Sequence, residues 1–107
     1  MSKWEIIYHP KALADLRALD GSQVIQVKKA IKKVSQNPLP DSEGGLGKPL
    51  GNHNGLKLAG LLKIKLKKLG IRVVYRLIRT DDKMVILIIG MRSEEEVYEE
   101  AKNRMIK

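Results

Sequence analysis

The sequence predicts an α+β fold: a small, antiparallel-rich twisted sheet with an N-terminal helical hairpin and a C-terminal helix. Three observations lead there. Two apolar stripes at helical spacing occupy residues 11–34, alternating and continuous apolar segments fill 62–89, and a helix-start signal followed by a third stripe occupies 93–105. The 107 residues suit one domain spanning 1–107. Aromatic residues make up 4% of the chain and Phe is absent, so the 43% hydrophobic content must form an aliphatic core of Leu, Ile, Val and Met.

The elements follow in order. Trp4 to Tyr8 is a short β-prone run, and Pro10 sits where a first helical position tolerates its missing N–H. Leu13, Leu16 and Leu19 then recur at helical spacing until Asp20-Gly21 supplies a turn. Ser22 is placed to cap a second helix with the stripe Val24, Val27, Ile31 and Val34, and Asn37-Pro38 ends it. A short turn between two such helices predicts an antiparallel hairpin. The lysines of the second helix, Lys28, Lys29, Lys32 and Lys33, have two readings: a groove-reading DNA helix, or the commoner solvated face opposite an apolar stripe.

Pro38 to Gly60 is rich in Gly and Pro with little periodicity, which predicts a long surface loop. Its Gly47-Lys48-Pro49 lacks the spacing of a phosphate-cradling P-loop, which argues against nucleotide hydrolysis. Leu62, Ile64 and Leu66 alternate with Lys63, Lys65 and Lys67, a half-buried strand. After Lys68-Leu69-Gly70 comes a second alternating strand, with Ile71, Val73, Tyr75 and Leu77 on one face and Arg72, Val74, Arg76 and Ile78 on the other. Met84 to Ile89 is continuously apolar, as a strand covered on both faces would be, which puts the sheet's centre there. Ser93-x-x-Glu96 is a capping-box pattern, and Val97, Ala101 and Met105 stripe the helix that follows, with Tyr98 beside the stripe.

Charge narrows the function. Twenty-one Lys and Arg against 12 Asp and Glu give a formal charge of +9, which favours anionic partners, nucleic acid first. No apolar run reaches a membrane span and the N-terminus lacks a signal-peptide core, so a cytoplasmic location and no membrane partner are expected. With no Cys, and with His9 and His53 far apart, neither a thiolate nucleophile nor a metal site is expected, and no cofactor is implied.

Every charged residue between Gly44 and Thr80 is basic: Lys48, Lys57, Lys63, Lys65, Lys67, Lys68, Arg72, Arg76 and Arg79. If Leu62, Ile64 and Leu66 share the core side with Ile71, Val73 and Tyr75, then Lys63, Lys65, Lys67, Arg72 and Arg76 share the opposite face. Lysines blunting a sheet edge would explain one basic strand; a polyanion explains two adjacent ones. Such a face, without metal or thiol, suits cleavage of RNA through its own 2′-OH, because the nucleophile is in the substrate. The protein then aligns it, accepts its proton and stabilises charge on phosphorus. Lysine and tyrosine titrate near 10, and neighbouring cations lower either by roughly one to three units.

Lys63-Ile64-Lys65-Leu66, Gly70-Ile71-Arg72-Val73-Val74-Tyr75, Gly90-Met91-Arg92, Glu96-Val97-Tyr98 and Arg104 closely resemble the RelE-type toxins of bacterial toxin–antitoxin pairs, loosely from Trp4 and tightly from Leu62 to Met105. The resemblance implies a RelE-like fold and a catalytic set at Lys63, Lys65, Arg72, Arg92 and Tyr98; of the surrounding basic run, Lys57, Lys67, Lys68 and Arg76 are expected to contact the RNA. It implies an endoribonuclease that cuts messenger RNA in the A site of the 70S ribosome, leaving a 2′,3′-cyclic phosphate. The implied partners are the ribosome with its message and a cognate antitoxin, forming a toxin–antitoxin hetero-oligomer. In the roles assigned, Lys65 or Tyr98 takes the 2′-OH proton, Lys63 and Arg72 stabilise the phosphorane-like transition state, and Arg92 stabilises the leaving oxygen. Tyr98 also has a plainer reading as a core-edge residue. Two rivals remain: a ParE-like toxin acting on DNA gyrase, and a noncatalytic nucleic-acid-binding module.

Overall fold

The computed structural model describes the backbone of residues 4–53, 56–91 and 94–106; side chains at 51–59, 94, 95 and 106 lie outside the described set. The first strand, β1 (Glu5–Tyr8), turns at His9 into α1 (Pro10–Arg17). His9 caps this helix, its Nδ1 accepting from the Lys11 N–H at 3.1 Å, and Pro10 takes the first helical position, where no N–H is needed. The second helix, α2 (Gly21–Ser35), is capped by Asp20 rather than Ser22. Asp20 Oδ1 accepts from the Gln23 N–H at 2.9 Å, and Gln23 Oε1 accepts in return from the Asp20 N–H at 3.2 Å. The serine hydroxyl donates to the same Asp20 oxygen at 2.8 Å. A carboxylate in a reciprocal box satisfies two orphan amides where a lone serine satisfies one. The bonds from Gln23 and Ser22 hold the Asp20 carboxyl below its ordinary range.

Beyond α2, the expected loop is largely built structure. It contains a 3-10 turn (Asp41–Glu43), the strand β2 (Lys48–His53) and the start of β3 (Leu56–Leu66). Pro49 and Gly51 give β2 poor strand propensity, but it lies at the sheet edge, where proline costs no ladder bond. The sequence between the paired His53 and Leu56 is Asn-Gly, the dipeptide most favoured in two-residue hairpin links. The remaining strands are β4 (Ile71–Ile78) and β5 (Lys83–Gly90), followed by α3 (Glu94–Ile106). The expected cap Ser93 lies outside the described residues.

The strand order is β1-β5-β4-β3-β2, with β1 parallel to β5 and every other pair antiparallel. β4 is therefore the middle strand, and β5, expected there, lies one place over. Its continuous apolar run has a further cause: a bulge. Val74 pairs with Ile88 but Tyr75 pairs with Ile86, so Leu87 is extra and the alternation changes phase. Met84, Ile86 and Ile89 join α1 and α2 in one core, while Leu87 and Ile88 both join α3 in the other.

On the first face, Ala12, Leu16, Val27, Ile31 and Val34 pack on Leu62, Ile64, Ile71, Val73 and Tyr75, as the alternation predicts. Tyr75, fully buried, donates its hydroxyl to the Pro38 carbonyl at 2.9 Å, and burial pushes that phenol's pKa upward. The segment after Pro38 is thereby pinned to the sheet. Any side chain at Gly47 would collide with the Tyr75 hydroxyl and Leu62. Glu43 and Arg79 join by two bonds of 2.6 and 2.7 Å, tying the outer end of this segment to the end of β4.

Candidate active site on the basic hairpin face

Alternation places Lys63, Lys65, Arg72 and Arg76 on the α3 face, together with Leu61 and Val74. Lys65 is the direct cross-strand partner of Arg72, which continues to Gly90 on β5; Lys63 lies one row away, opposite Val74. Side chains in one row stand about 5 Å apart and rows about 7 Å apart. Lys63, Lys65 and Arg72 therefore form one compact cluster. At Gly90 an added Cβ would come within 3.2 Å of Val97 Cγ2, so glycine lets α3 lie close beside this cluster.

The structure brings the other candidates to different places. Arg76 pairs with Leu61, on the same face but two rows from Arg72. Lys67 and Lys68 fall beyond β3 in the exposed turn to β4, so Lys67 does not continue the strand alternation. Lys57 has its backbone paired with Asn52 and its side chain outside the described set; Arg92 lies outside the described residues altogether.

Tyr98 does join the cluster, from beneath. It is 1% exposed, packed with Val97 and Ala101 on Leu61, Val74 and Ile88, and Lys63 Nζ lies 5.8 Å from its ring centroid. That distance is at the outer limit of a cation–π contact. Lys65 is exposed, Lys63 and Arg72 partly so. The face thus presents three cations with an aromatic ring behind one of them.

What holds α3 in register is Arg104, 6% exposed. Its Nη1 donates to Asp15 Oδ2 at 2.7 Å and to the Leu87 carbonyl at 2.8 Å, and its Nε donates to Glu100 at 2.9 Å. Asp15 Oδ2 also accepts from the Ile89 N–H at 3.1 Å. The β1 ladder stops at Tyr8, opposite Ile86. Past that point an arginine and an aspartate supply the donor and acceptor that another strand residue would have supplied. Burial alone would lower the Arg104 pKa; the Asp15 and Glu100 carboxylates outweigh it and the net shift is upward. Nothing local in the sequence marks Asp15 for this role, because its partners lie 74 and 89 positions away.

Among the described residues, no group of three His, Cys, Asp or Glu side chains could hold a metal, and no helix is long and apolar enough to cross a membrane. The cluster offers positive charge, hydrogen-bond donors and one exposed amine, a set suited to a phosphodiester.

Comparison with known proteins converges on one family. A family model described as ParE toxin of type II toxin-antitoxin system, parDE, matches residues 6–98. The mRNA interferase toxin RelE of Escherichia coli K12 is 32% identical over 101 residues, covering 92% of this chain and 94% of that protein. A double-arginine mutant of E. coli RelE in the free state superposes with a TM-score of 0.74 at 25% identity, over 97% of this chain and 99% of that one. The toxin–antitoxin complex RelBE2 from Mycobacterium tuberculosis gives 0.67 at 25% identity, over 85% and 100%. From its first strand to its last helix, this chain belongs to the RelE/ParE superfamily of toxins of type II toxin–antitoxin systems.

Proposed function

We propose that this protein is a ribosome-dependent endoribonuclease that cuts messenger RNA in the A site and is neutralised by a cognate antitoxin in the cytoplasm. The observation that carries the proposal is the direct pairing of Lys65 with Arg72, one row from Lys63 above the Tyr98 ring. The identity to an mRNA interferase supports the same reading, and the solved RelBE2 toxin–antitoxin complex supports the antitoxin.

In the reaction, the 2′-oxygen attacks the adjacent phosphorus while its proton passes to a base. The bond from phosphorus to the 5′-oxygen breaks, leaving a 2′,3′-cyclic phosphate and a 5′-hydroxyl that takes up a proton. The exposure of Lys65 and the burial of Tyr98 favour Lys65 as the base. Lys63 and Arg72 stabilise the charge that grows on the non-bridging oxygens. Tyr98 orients Lys63 from behind, and Arg92 is assigned to the leaving oxygen as a stabilising charge.

The test uses purified ribosomes programmed with a short message, with mapping of the RNA ends. Wild type is expected to cut in the A-site codon, Arg72→Ala to leave the message intact, and Tyr98→Phe to retain most activity. A message left whole by wild type would sink the proposal.

A second reading is favoured by one finding, the match of the ParE toxin model to residues 6–98. It makes the protein an inhibitor of DNA gyrase. A supercoiling assay separates the two: gyrase inhibited with messages uncut supports the ParE-like activity.

A further inference from the structure

β2 begins at Lys48, and Lys48 pairs directly with Lys63. Beyond that pair, Ile64 to Leu66 have β4 on one side and, among the described residues, no strand of this sheet on the other. The space left there is a groove of about 410 Å³, with Val34, Leu46 and Ile64 as its apolar part and Lys48, Lys63 and Lys65 along its rim; the two lysines of the β3–β4 turn complete it. None of the described residues lining it is acidic.

Two features distinguish this groove from a solvated lysine face. Leu46 stands at its edge 48% exposed, one of few large apolar side chains left open. Its backbone is also tied down. The Leu46 N–H donates to the Asn37 carbonyl at 2.8 Å, the Gly47 N–H to the Leu39 carbonyl at 3.0 Å, and Asp41 N–H closes back on the Gly47 carbonyl at 2.8 Å. With Tyr75 pinning Pro38, the groove wall is set before anything binds.

We infer that this groove is a subsite for the nucleotide next to the scissile phosphate of a single-stranded RNA, with Lys48 on the neighbouring phosphate and Leu46 against the base or ribose. The inference rests on the endoribonuclease reading, since the groove is continuous with the proposed reacting phosphate through Lys63 and Lys65. A strand of RNA leaving that phosphate meets a second cation and an apolar wall, the pairing that recognises one unstacked nucleotide. An acidic peptide would match the lysines but has no evident use for a reacting phosphate at one end.

The experiment measures steady-state cleavage on programmed ribosomes with three messages. One is unmodified, and two carry a neutral methylphosphonate at the linkage immediately 5′ or immediately 3′ of the scissile one. For wild type, one of the two neutral linkages should raise KM about tenfold, the size of one charged contact, with kcat little changed. Lys48→Ala should raise KM equally on the unmodified message and lose nothing further from the neutral linkage; Leu46→Asp should also raise KM. Unchanged melting temperatures, expected at these exposed positions, confirm that the variants fold. Independent, multiplying effects of Lys48→Ala and both neutral linkages would overturn the subsite while leaving the nuclease intact, as would an unchanged KM. Wild type that cuts none of the messages would overturn both.

Discussion

The two faces of the sheet come from the same alternating strands and are finished in opposite ways. On the α1–α2 face, the two helices close over an aliphatic layer, and what remains polar there is helix caps and the Tyr75 bond to Pro38. On the other face, α3 covers Leu61, Val74, Leu87 and Ile88 and then leaves the ends of β3 and β4 open, where like charges sit side by side. Lys48 pairs with Lys63 and Lys65 with Arg72. Like charges directly opposite one another destabilise a ladder by roughly 0.2–1 kcal/mol each. A folding-only sequence would avoid both pairs, so the closed face carries the stability that the open face spends on holding cations together. The lesson is that the site is positioned from behind: by the aliphatic layer, by Tyr98 under Lys63, and by Arg104 at the far end of α3.

Breaking the open face should cost activity and not stability. Arg72→Ala is expected to lower message cleavage by about 100- to 1,000-fold, the loss typical of one transition-state donor. It should at the same time change stability by no more than a few tenths of a kcal/mol, as expected for a partly exposed charge, measured by urea denaturation. A parallel fall in both quantities would make Arg72 structural.

Breaking the clasp at the other end should cost stability first. Arg104→Ala leaves the Asp15 carboxylate without its charge partner and the Leu87 carbonyl without that donor, and is expected to cost about 3 kcal/mol of unfolding free energy. The double variant Asp15→Ala/Arg104→Ala should lose clearly less than the sum of the two single changes, because the second removal no longer leaves a lone charge. Strict additivity would show that the pair does not act as a unit.

Smaller still is the anchor on the closed face. Tyr75→Phe leaves the Pro38 carbonyl without its donor and should cost about 1–2 kcal/mol. Because the same bond steadies the groove wall, KM for the message should rise in this variant while kcat holds.

The smallest effect is the exposed Glu43–Arg79 clasp. The guanidinium holds the Glu43 carboxyl below its ordinary pKa, so its contribution is present above the unfolded carboxylate value, about 4.3, and lost as pH falls through the folded value. Glu43→Gln should therefore be slightly less stable than wild type near pH 6 and indistinguishable from it in strong acid. A gap that widened in acid would reverse the sign.

Much of this arrangement was legible in the residues. The period-two pattern from Leu62 to Leu77 gave the hairpin, its core side and the sharing of one face by Lys63, Lys65 and Arg72, because alternation is a local property. Three features were not legible for a common reason. β2 is a strand by virtue of its pairing with β3, against the propensity of Pro49 and Gly51. Leu87 is a bulge only in the register with Val74 and Tyr75. Asp15 and Arg104 look like ordinary helix-surface charges until β1 ends and leaves Leu87 and Ile89 needing partners. Each depends on contacts distant in sequence. The Asp20 cap was different: Asp20-x-x-Gln23 is a local signal, stronger than the Ser22 that competes with it.

The chemistry proposed for the open face rests on one atom of the substrate, the 2′-oxygen. The most direct measurement is cleavage, on programmed ribosomes, of two messages that differ only by a single 2′-deoxy nucleotide immediately 5′ of the scissile phosphate. The all-ribose message should be cut to a 2′,3′-cyclic phosphate and the deoxy message should remain whole at that linkage. Equal cutting of both would contradict the account, because the nucleophile would then have to come from somewhere other than the RNA.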